Sequence, residues 1–245
     1  MIGFIIQART ESTRYPNKII LPFFNGDTII SLLIDKLKNN FNLPIILATS
    51  TNSSNDSLEQ IASNSSIICF RGSENDVLQR FIDAAELNKL NYIARICSDN
   101  PFIDVTRIKM LLNEFDSNPN FDYYSFFVNN TPSIKTHFGF WIEIVSLNAL
   151  KKVKQLTSDP LYFEHVTNYV YNNPNNFKIR WVKEELILNP NIRMTIDTPE
   201  DFDNCVKLFK LQKQNNWSLN QLINFVSTDL IIIEKMKKQI IANTK

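Results

Sequence analysis

Near the start of the chain, the residues best suited to chemistry are three cations, Arg9, Arg14 and Lys18, which follow the apolar residues 4–6. Threonine and serine hydroxyls lie between the cations, and Pro16 interrupts the stretch. Guanidinium, ammonium and hydroxyl groups are donors suited to phosphate oxygens. A buried strand that opens into such a loop indicates an anion-binding site. The alternative is an ordinary solvated loop, because Lys and Arg are mostly exposed.

The elements that must position these cations alternate between strand and helix. Apolar runs predict strands at residues 2–7, 44–48, 66–70 and 91–96. Helical periodicity and capping signals predict helices at 28–39 with Asp27 as the cap, at 73–87 with a capping box of Ser73 and Asp76, and after the cap Asp104. This alternation predicts a parallel sheet with right-handed crossovers.

In a sheet of this kind, the ligand binds beyond the carboxyl ends of the strands. The segments that follow the predicted strands are 8–18, 49–54, 71–75 and 98–101. The cationic loop is the first of these segments. The topology therefore gives the cluster a geometric reason to bind an anion, independent of its composition.

The second half of the chain is less regular. Strands are predicted at 123–128, 138–144, 177–182 and 192–196, and helices at 159–171, after Thr198 and over 218–241 as one or two segments. Segment 138–144 is dense in aromatic residues, which predicts a homodimer contact through this half, with a plain core strand as the alternative. We expect a single domain over 1–245, with a first half at 1–120 and a second half, which carries the dimer contact, at 121–245.

Composition excludes several classes of function. A formal net charge of +1 gives no reason to expect a nucleic-acid footprint. No run approaches the roughly 18 apolar residues that span a bilayer, so we expect no membrane association and a cytoplasmic location. The cysteines, Cys69, Cys97 and Cys205, are widely spaced, which predicts reduced thiols. No histidine lies near Cys97 in the sequence, so we do not expect it to be a nucleophile.

Five ordered motifs resemble one known family. Segment 8–18, A-R-T-E-S-T-R-Y-P-N-K, is similar to the A-R-x-x-S-x-R-x-P-x-K signature of the CMP-sugar synthetases, and more closely to their SpsF-like cytidylyltransferase branch. The later motifs are R-G-S-E-N-D-V-L-Q-R at 71–80, A-R-I-C-S-D-N-P-F-I-D at 94–104, E-H-V-T at 164–167 and T-I-D-T-P-E-D at 195–201. The resemblance spans about residues 2–210.

The resemblance implies an α/β fold of the Rossmann-like, glycosyltransferase-A-like type, with a mostly parallel sheet flanked by helices and a smaller β-containing extension in the second half. It also implies a CTP-dependent transfer of CMP to an acidic sugar or related surface-glycan precursor, with release of pyrophosphate. Residues 1–120 would then form the nucleotide-binding half, and residues 121–245 the acceptor-binding and dimerisation half. Such transfer depends mainly on positioning and charge neutralisation. The alternative acceptors are a phosphonate or a polyol phosphate.

The resemblance also carries roles to individual residues. The implied catalytic residues are Arg14, Lys18 and Asp99. The implied nucleotide-binding residues are Ala8, Arg9, Thr10, Ser12, Thr13, Arg71 and Ser73. The implied acceptor-binding residues are Glu143, Glu164 and His165. Asp99 and Asp197 match the aspartates that hold Mg²⁺, which is usually bound by carboxylates together with substrate phosphates.

Several of these residues have a simpler interpretation. Asp197 can cap the helix that starts at Pro199, although Thr198 is the better-placed cap, and Asp99 can belong to a turn. Ser73 is already explained by capping, and His165 can be a partly buried histidine with satisfied hydrogen bonds.

The chain also departs from the family pattern. Asn17 stands where the family often has glycine, and Asn tolerates the left-handed conformation well. Ser98 replaces a glycine before Asp99, and segment 137–141 is unusually aromatic. Two other classes stay open: a glycosyltransferase of the same fold, which would lack the segment at 12–18, and a non-catalytic binding module.

Overall fold

A mixed sheet forms the centre of the computed structural model, which describes residues 1–184 and 188–243. The strands are β1 (Ile2–Gln7), β2 (Pro22–Phe24), β3 (Asp27–Thr28), β4 (Ile45–Ser50), β5 (Ile68–Gly72), β6 (Tyr92–Cys97), β7 (Tyr123–Val128), β8 (Thr131–Pro132), β9 (Glu143–Ser146) and β10 (Ile179–Lys183). The helices are α1 (Ile29–Asn40), α2 (Asp56–Asn64), α3 (Val77–Leu87), α4 (Val105–Ser117), α5 (Leu147–Leu156), α6 (Pro160–Glu164), α7 (Asn168–Asn172), α8 (Pro199–Gln214), α9 (Leu219–Thr228) and α10 (Leu230–Asn243).

The strand order across the main sheet is β10-β7-β9-β6-β1-β4-β5, with β8 paired to β7 and with β2 and β3 in a separate hairpin. Strands β1, β4, β5 and β6 run parallel to one another, and β9 is antiparallel to both β6 and β7. The predicted α/β fold with a mostly parallel sheet is therefore confirmed. Strands from both predicted halves of the chain belong to this one sheet.

Helices cover both faces of the sheet, which is why β1 reads as a continuous apolar run. Phe4 and Ile6 of β1 face one core with α1, α4 and α8, while Ile5 faces a second core with α3 and α5. All three side chains are fully buried. Two buried faces therefore hold the carboxyl end of β1, and the cationic loop that follows it, in a fixed place.

The structure corrects several local predictions. Thr28 rather than Asp27 caps α1, and Asp76 rather than Ser73 caps α3. The predicted helix 159–171 is two short helices, α6 and α7. Helices α2 and α5 and the β2–β3 hairpin were not predicted.

Two predicted strands are also corrected. Segment 192–196 has no strand: the backbone amides of Met194 and Thr195 bind the His137 carbonyl, and that of Ile196 binds the Asp99 carbonyl. In segment 138–144, only the last residues belong to a strand, β9.

The aromatic side chains of segment 138–144 are core residues. Phe138, Phe140 and Trp141 are at most 7% exposed within the chain. They pack against one another and, through Trp141, against Phe126. The argument that they form an apolar surface was therefore wrong, and the homodimer stays a prediction without that support. Among the described residues, no helix has the length and apolar character needed to cross a membrane.

Candidate active site

A cleft of about 970 Å³ lies beyond the carboxyl ends of β1 and β6. Its walls come from the loop after β1, the loop after β6, the segment 133–141, the region around α6 and α7, and the start of α8. The predicted site residues that line it are Arg9, Ser12, Thr13, Arg14, Lys18, Asp99, Glu143, Glu164, His165 and Asp197. Motifs separated by up to about 180 residues of sequence thus meet in one cleft, as the topology predicts.

The loop after β1 is held by backbone hydrogen bonds. The amide of Thr10 donates to Asn55 Oδ1 (2.9 Å), and the Thr10 carbonyl accepts from the amide of Asn17 (2.7 Å). Asn17 has φ 61°, the left-handed conformation expected of the residue that replaces glycine. Thr10 is 2% exposed and Ala8 is 1% exposed. These two residues therefore shape the loop from inside the protein and do not line the cleft, and their contact with the nucleotide stays a prediction.

Lys18 lies at the centre of the charged part of the cleft. Its ammonium is 3.2 Å from Asp99 Oδ2 and 3.5 Å from Asp197 Oδ1, and it also donates to the Ile196 carbonyl. Arg14 Nη2 lies 2.7 Å from the same Oδ1 of Asp197. The Lys18 side chain is only 9% exposed, so burial fixes its position between the two aspartates.

Asp197 is surrounded by positive charge. Burial alone would raise its pKa, but Lys18, Arg14 and Arg193 outweigh burial and hold the pKa below its usual value. The residue does not cap α8, because the side chain of Thr198 accepts the capping hydrogen bond. The carboxylate of Asp197 is therefore ionised at neutral pH and directed into the cleft.

Asp99 and Asp197 are the two carboxylates of the cleft that would hold the predicted magnesium ion. Both carboxylates approach one point, the Lys18 ammonium, and the Asp99 side chain is 33% exposed. In residues 1–184 and 188–243, no group of three or more His, Cys, Asp or Glu side chains is arranged to hold a metal ion. Two carboxylates without further protein ligands suit Mg²⁺, which takes its other ligands from water and substrate phosphates.

Glu143 is among the residues that line the cleft and is 3% exposed. Its Oε2 is 2.6 Å from Arg95 Nη1, its Oε1 accepts from the Tyr123 hydroxyl, and the Thr167 hydroxyl donates to both oxygens. Because both carboxylate oxygens are bound within the protein, Glu143 orients Arg95. The structure thus does not support the prediction that Glu143 receives the acceptor directly.

Arg95 was not predicted as a site residue. It lines the cleft, and its Nη2 donates to Gln7 Oε1 at 2.9 Å. Its buried Nε has no hydrogen-bond partner among the described residues. The only sequence signal for it was its position in the motif 94–104, four residues before Asp99.

The mouth of the cleft is bridged by an ion pair between Arg9 Nη2 and Glu164 Oε1 at 3.3 Å. Both side chains are about half exposed. His165 follows Glu164 and lines the same wall. Glu164 and His165 therefore line the cleft, and their contact with an acceptor stays a prediction.

Arg71 and Ser73 do not line the cleft. Arg71 Nη1 is 2.7 Å from both Asp56 and Glu59 of α2, and Ser73 Oγ accepts the backbone amide of Asp76 at 3.0 Å. Arg71 thus connects the end of β5 to α2, and Ser73 stabilises the turn between β5 and α3. The prediction that they contact the nucleotide is not supported by this geometry.

Cys97 and His137 also face the cleft. Burial raises the pKa of the Cys97 thiol to about 11, which agrees with its exclusion as a nucleophile. Burial and then the nearby Arg193 lower the pKa of His137, so its imidazole is neutral at neutral pH. Sequence reasoning missed both His137 and Arg193; the only signal for Arg193 was its place just before the motif at 195–201.

Comparisons with known proteins show the family to which the chain belongs. A family model described as cytidylyltransferase matches residues 3–234. The spore coat polysaccharide biosynthesis protein SpsF of Bacillus subtilis is 31% identical over 237 residues, which cover 92% of this chain and 94% of SpsF. An uncharacterised protein of Methanocaldococcus jannaschii is 35% identical over 225 residues, covering 91% of this chain and 88% of that protein.

Solved structures show the same similarity. A cytidylyltransferase from Leptospira borgpetersenii has a TM-score of 0.84 at 30% identity, with 95% of this chain and 96% of that chain covered. A CMP:2-keto-3-deoxy-manno-octonic acid synthetase in complex with CTP has a TM-score of 0.66 at 14% identity, covering 86% and 99%, and shares the fold. By its family match and its relatives, the chain belongs to the cytidylyltransferase family and is a nucleotidyltransferase, an enzyme of the kind that transfers CMP from CTP.

Proposed function

We propose that this cytidylyltransferase transfers CMP from CTP, bound with Mg²⁺, to an acidic sugar that serves as a surface-glycan precursor. An acceptor hydroxyl oxygen attacks the α-phosphorus and forms a P–O bond. The bond from that phosphorus to the bridging oxygen breaks, and pyrophosphate leaves with the electron pair. The acceptor proton passes to solvent or to a basic group of the cleft.

The observation that carries the proposal is the buried Lys18 between Asp99 and Asp197. Lys18 and Arg14 would bind the leaving pyrophosphate, and both reach the carboxylate that is suited to the metal. Arg9, Ser12 and Thr13 line the adjacent wall and would hold the remaining phosphate oxygens. Mg²⁺, held by Asp99 and Asp197, would neutralise charge on the triphosphate oxygens.

The acidic acceptor is supported by further cations of the cleft. Arg95 and Lys135 both line it, in addition to the cations of the loop after β1. A carboxylate would pair with such cations. Phosphonates and polyol phosphates share the negative charge and are the alternative acceptors. That SpsF is named for spore coat polysaccharide biosynthesis favours a glycan precursor.

A glycosyltransferase of the same fold is the second candidate class. Such an enzyme would hold a sugar nucleotide through a metal-binding D-x-D motif. In this chain the D-x-D sequence Asp201-Phe202-Asp203 lies inside α8, and Asp201 is 3% exposed and bound to Arg193. That aspartate is therefore turned away from any metal, which favours CMP transfer.

The test is pyrophosphate release from each of the four ribonucleoside triphosphates with a panel of acidic sugars, phosphonates and polyol phosphates. We expect release only with CTP, Mg²⁺ and an acidic sugar, and a loss of about 100-fold or more for Lys18→Met. Pyrophosphate release with a polyol phosphate but with no acidic sugar would show that the acceptor is a polyol phosphate. Transfer of a sugar from a sugar nucleotide would show that the enzyme is a glycosyltransferase instead.

We further propose that the enzyme acts in the cytoplasm as a homodimer, without nucleic acid or membrane partners. Activated sugars are made where CTP is available, and a dimer through the 121–245 half would place two clefts on one particle. Sedimentation over a range of protein concentrations tests the dimer, and a monomer at all concentrations would exclude it.

A further inference from the structure

The most buried charged cluster near the cleft centres on Arg193, whose side chain is 1% exposed. Its Nε lies 2.7 Å from Asp201 Oδ1, and its Nη2 lies 2.8 Å from Asp201 Oδ2 and 2.9 Å from Asp197 Oδ2. Its Nη1 lies 2.9 Å from His137 Nδ1. A single guanidinium thus binds a carboxylate of α8, a carboxylate of the cleft and an imidazole.

Asp201 holds this guanidinium and the backbone next to it at the same time. Its Oδ2 accepts the backbone amides of Asp197 and Thr198, each at 3.0 Å, and the bond from Thr198 belongs to the capping box of α8. Two parallel N–H···O bonds to Arg193 fix the angle of the guanidinium plane. Asp201 therefore fixes the main chain of Asp197 directly, and it fixes the Asp197 side chain through Arg193.

The two oxygens of Asp197 consequently have different environments. Oδ2 binds the buried Arg193, whereas Oδ1 binds Arg14 and Lys18, which line the cleft. A triphosphate that draws Arg14 and Lys18 to its own oxygens would free Oδ1 but not Oδ2, because Arg193 does not reach the cleft.

We propose that Arg193, anchored by Asp201, is a positioning residue that turns Oδ1 of Asp197 towards the metal-bound nucleotide. This inference rests on the proposed function. Groups that orient a metal ligand typically change metal affinity by about 10–100-fold when they are replaced. Lysine cannot substitute for Arg193, since a single ammonium lacks the planar fork that serves Asp197, Asp201 and His137 together.

The same guanidinium connects the metal end of the cleft to its aromatic wall. Besides the contact with Arg193, His137 accepts the amide of Met194 at its carbonyl. Gly139, with φ 71°, lies against Asn100 and Thr195 so closely that a Cβ there would be 2.9 Å from Asn100 Oδ1. Displacing Arg193 would therefore disturb the cleft wall as well as Asp197.

The experiment measures thermal stability of Arg193→Lys and Asp201→Asn with CTP in EDTA and with CTP at increasing Mg²⁺ concentration, without acceptor. We expect both variants to be stabilised by CTP in EDTA as wild type is. We expect the Mg²⁺ concentration that gives half of the further stabilisation to rise about 10-fold or more. If Arg193→Lys does not fold, Asp201→Asn tests the same orientation.

Arg107→Lys is the matched control. Arg107 is also buried, and its Nε pairs with Glu184 Oε2 at a distance of 2.7 Å, but it contacts neither Asp197 nor Asp201. It should lower the melting temperature of the ligand-free protein and leave the Mg²⁺ midpoint unchanged. If Arg193→Lys and Asp201→Asn do the same, Arg193 is only structural and the inference is overturned. A wild-type protein that CTP stabilises without any further effect of Mg²⁺ would instead refute the metal assignment of the proposed function.

Discussion

At the scale of single residues, the carboxylates of the cleft are defined by the cations around them. Asp197 contacts Lys18, Arg14 and Arg193, whereas the ion pair of Asp99 is with Lys18. Sequence alone suggests that two aspartates near each other repel and that replacing one relieves repulsion. The structure indicates the opposite for Asp197, because its removal leaves three cations with less compensation.

Asp197→Asn should therefore lower the free energy of unfolding at pH 6, by about 1–3 kcal/mol, the usual cost of removing a charged acceptor from buried donors. The folded pKa of Asp197 is below its usual value, so its contribution is present at neutral pH and disappears as pH falls through that folded pKa. Urea unfolding at intervals from pH 6 to pH 3 should show the difference from wild type shrinking.

Asp99→Asn serves as the comparison for this prediction. The Asp99 side chain is more exposed than that of Asp197, so the Asp99→Asn protein should lose less stability. Both variants should lose most CMP transfer if both aspartates hold the metal. A stability difference for Asp197→Asn that widens on acidification would contradict the charge assignment.

The Arg95–Glu143 pair should behave as one unit. The two side chains are 8% and 3% exposed, and removing one partner of a buried pair leaves an uncompensated charge, which costs about 3–5 kcal/mol. Glu143→Gln and Arg95→Met should each destabilise the protein to that extent. The double variant should lose much less than the sum, as a double-mutant cycle by urea unfolding will measure. Additive losses would show that the pair is not coupled.

At the scale of elements, α1 supports the loop that carries Asp99. Lys36 of α1 donates to the carbonyls of Pro101 (3.2 Å) and Ile103 (2.8 Å), which follow the carboxyl end of β6. Burial, and then Lys213 of α8, lower the Lys36 pKa to about 8, and Asp104 at the start of α4 opposes this only in part. A helix on one face of the sheet thus stabilises the loop at its active edge.

Lys36→Met should lose stability relative to wild type increasingly as pH rises from 7 to 9.5. In the unfolded chain Lys36 stays protonated to a higher pH, so folding releases a proton in this range and wild type gains stability. The measurement is the unfolding free energy of both proteins at each pH. Lys38→Met, which removes an exposed lysine of the same helix, is the control, and a similar slope for both variants would refute the assignment to Lys36.

At the scale of the whole molecule, one cleft collects residues from the start, middle and end of the chain. Asn243 of α10 lies 3.4 Å from Arg14, so even the last helix reaches the charged end. Ligand binding should therefore stabilise the entire fold, because it connects groups on several elements.

CTP with Mg²⁺ should raise the melting temperature more than ATP, GTP or UTP with Mg²⁺. The reason is the membership of the chain in the cytidylyltransferase family. Thermal denaturation with each nucleotide at equal concentration checks this. Equal stabilisation by all four nucleotides would show that the cleft binds the triphosphate without recognising cytosine.

The sequence by itself determined the features that depend on short-range patterns. A parallel sheet buries its strands and leaves their carboxyl ends open to a ligand. An apolar run followed by cations, as at β1, is therefore a pattern that a few residues of sequence suffice to show. The left-handed Asn17 and the cap Thr198 were readable for the same reason. The resemblance of ordered motifs then predicted the family, which the comparisons confirmed.

Only the tertiary structure decided how individual side chains are used. Arg71 and Arg95 look alike in sequence, yet Arg71 is bound by α2 outside the cleft, while Arg95 is fixed by Glu143 inside it. Likewise, Arg193 meets His137 across 56 residues of chain. A hydrogen bond or an ion pair requires atoms within about 3–4 Å of each other. Local pattern does not specify which distant residues approach that closely, because the packing of helices on both faces of the sheet sets those distances.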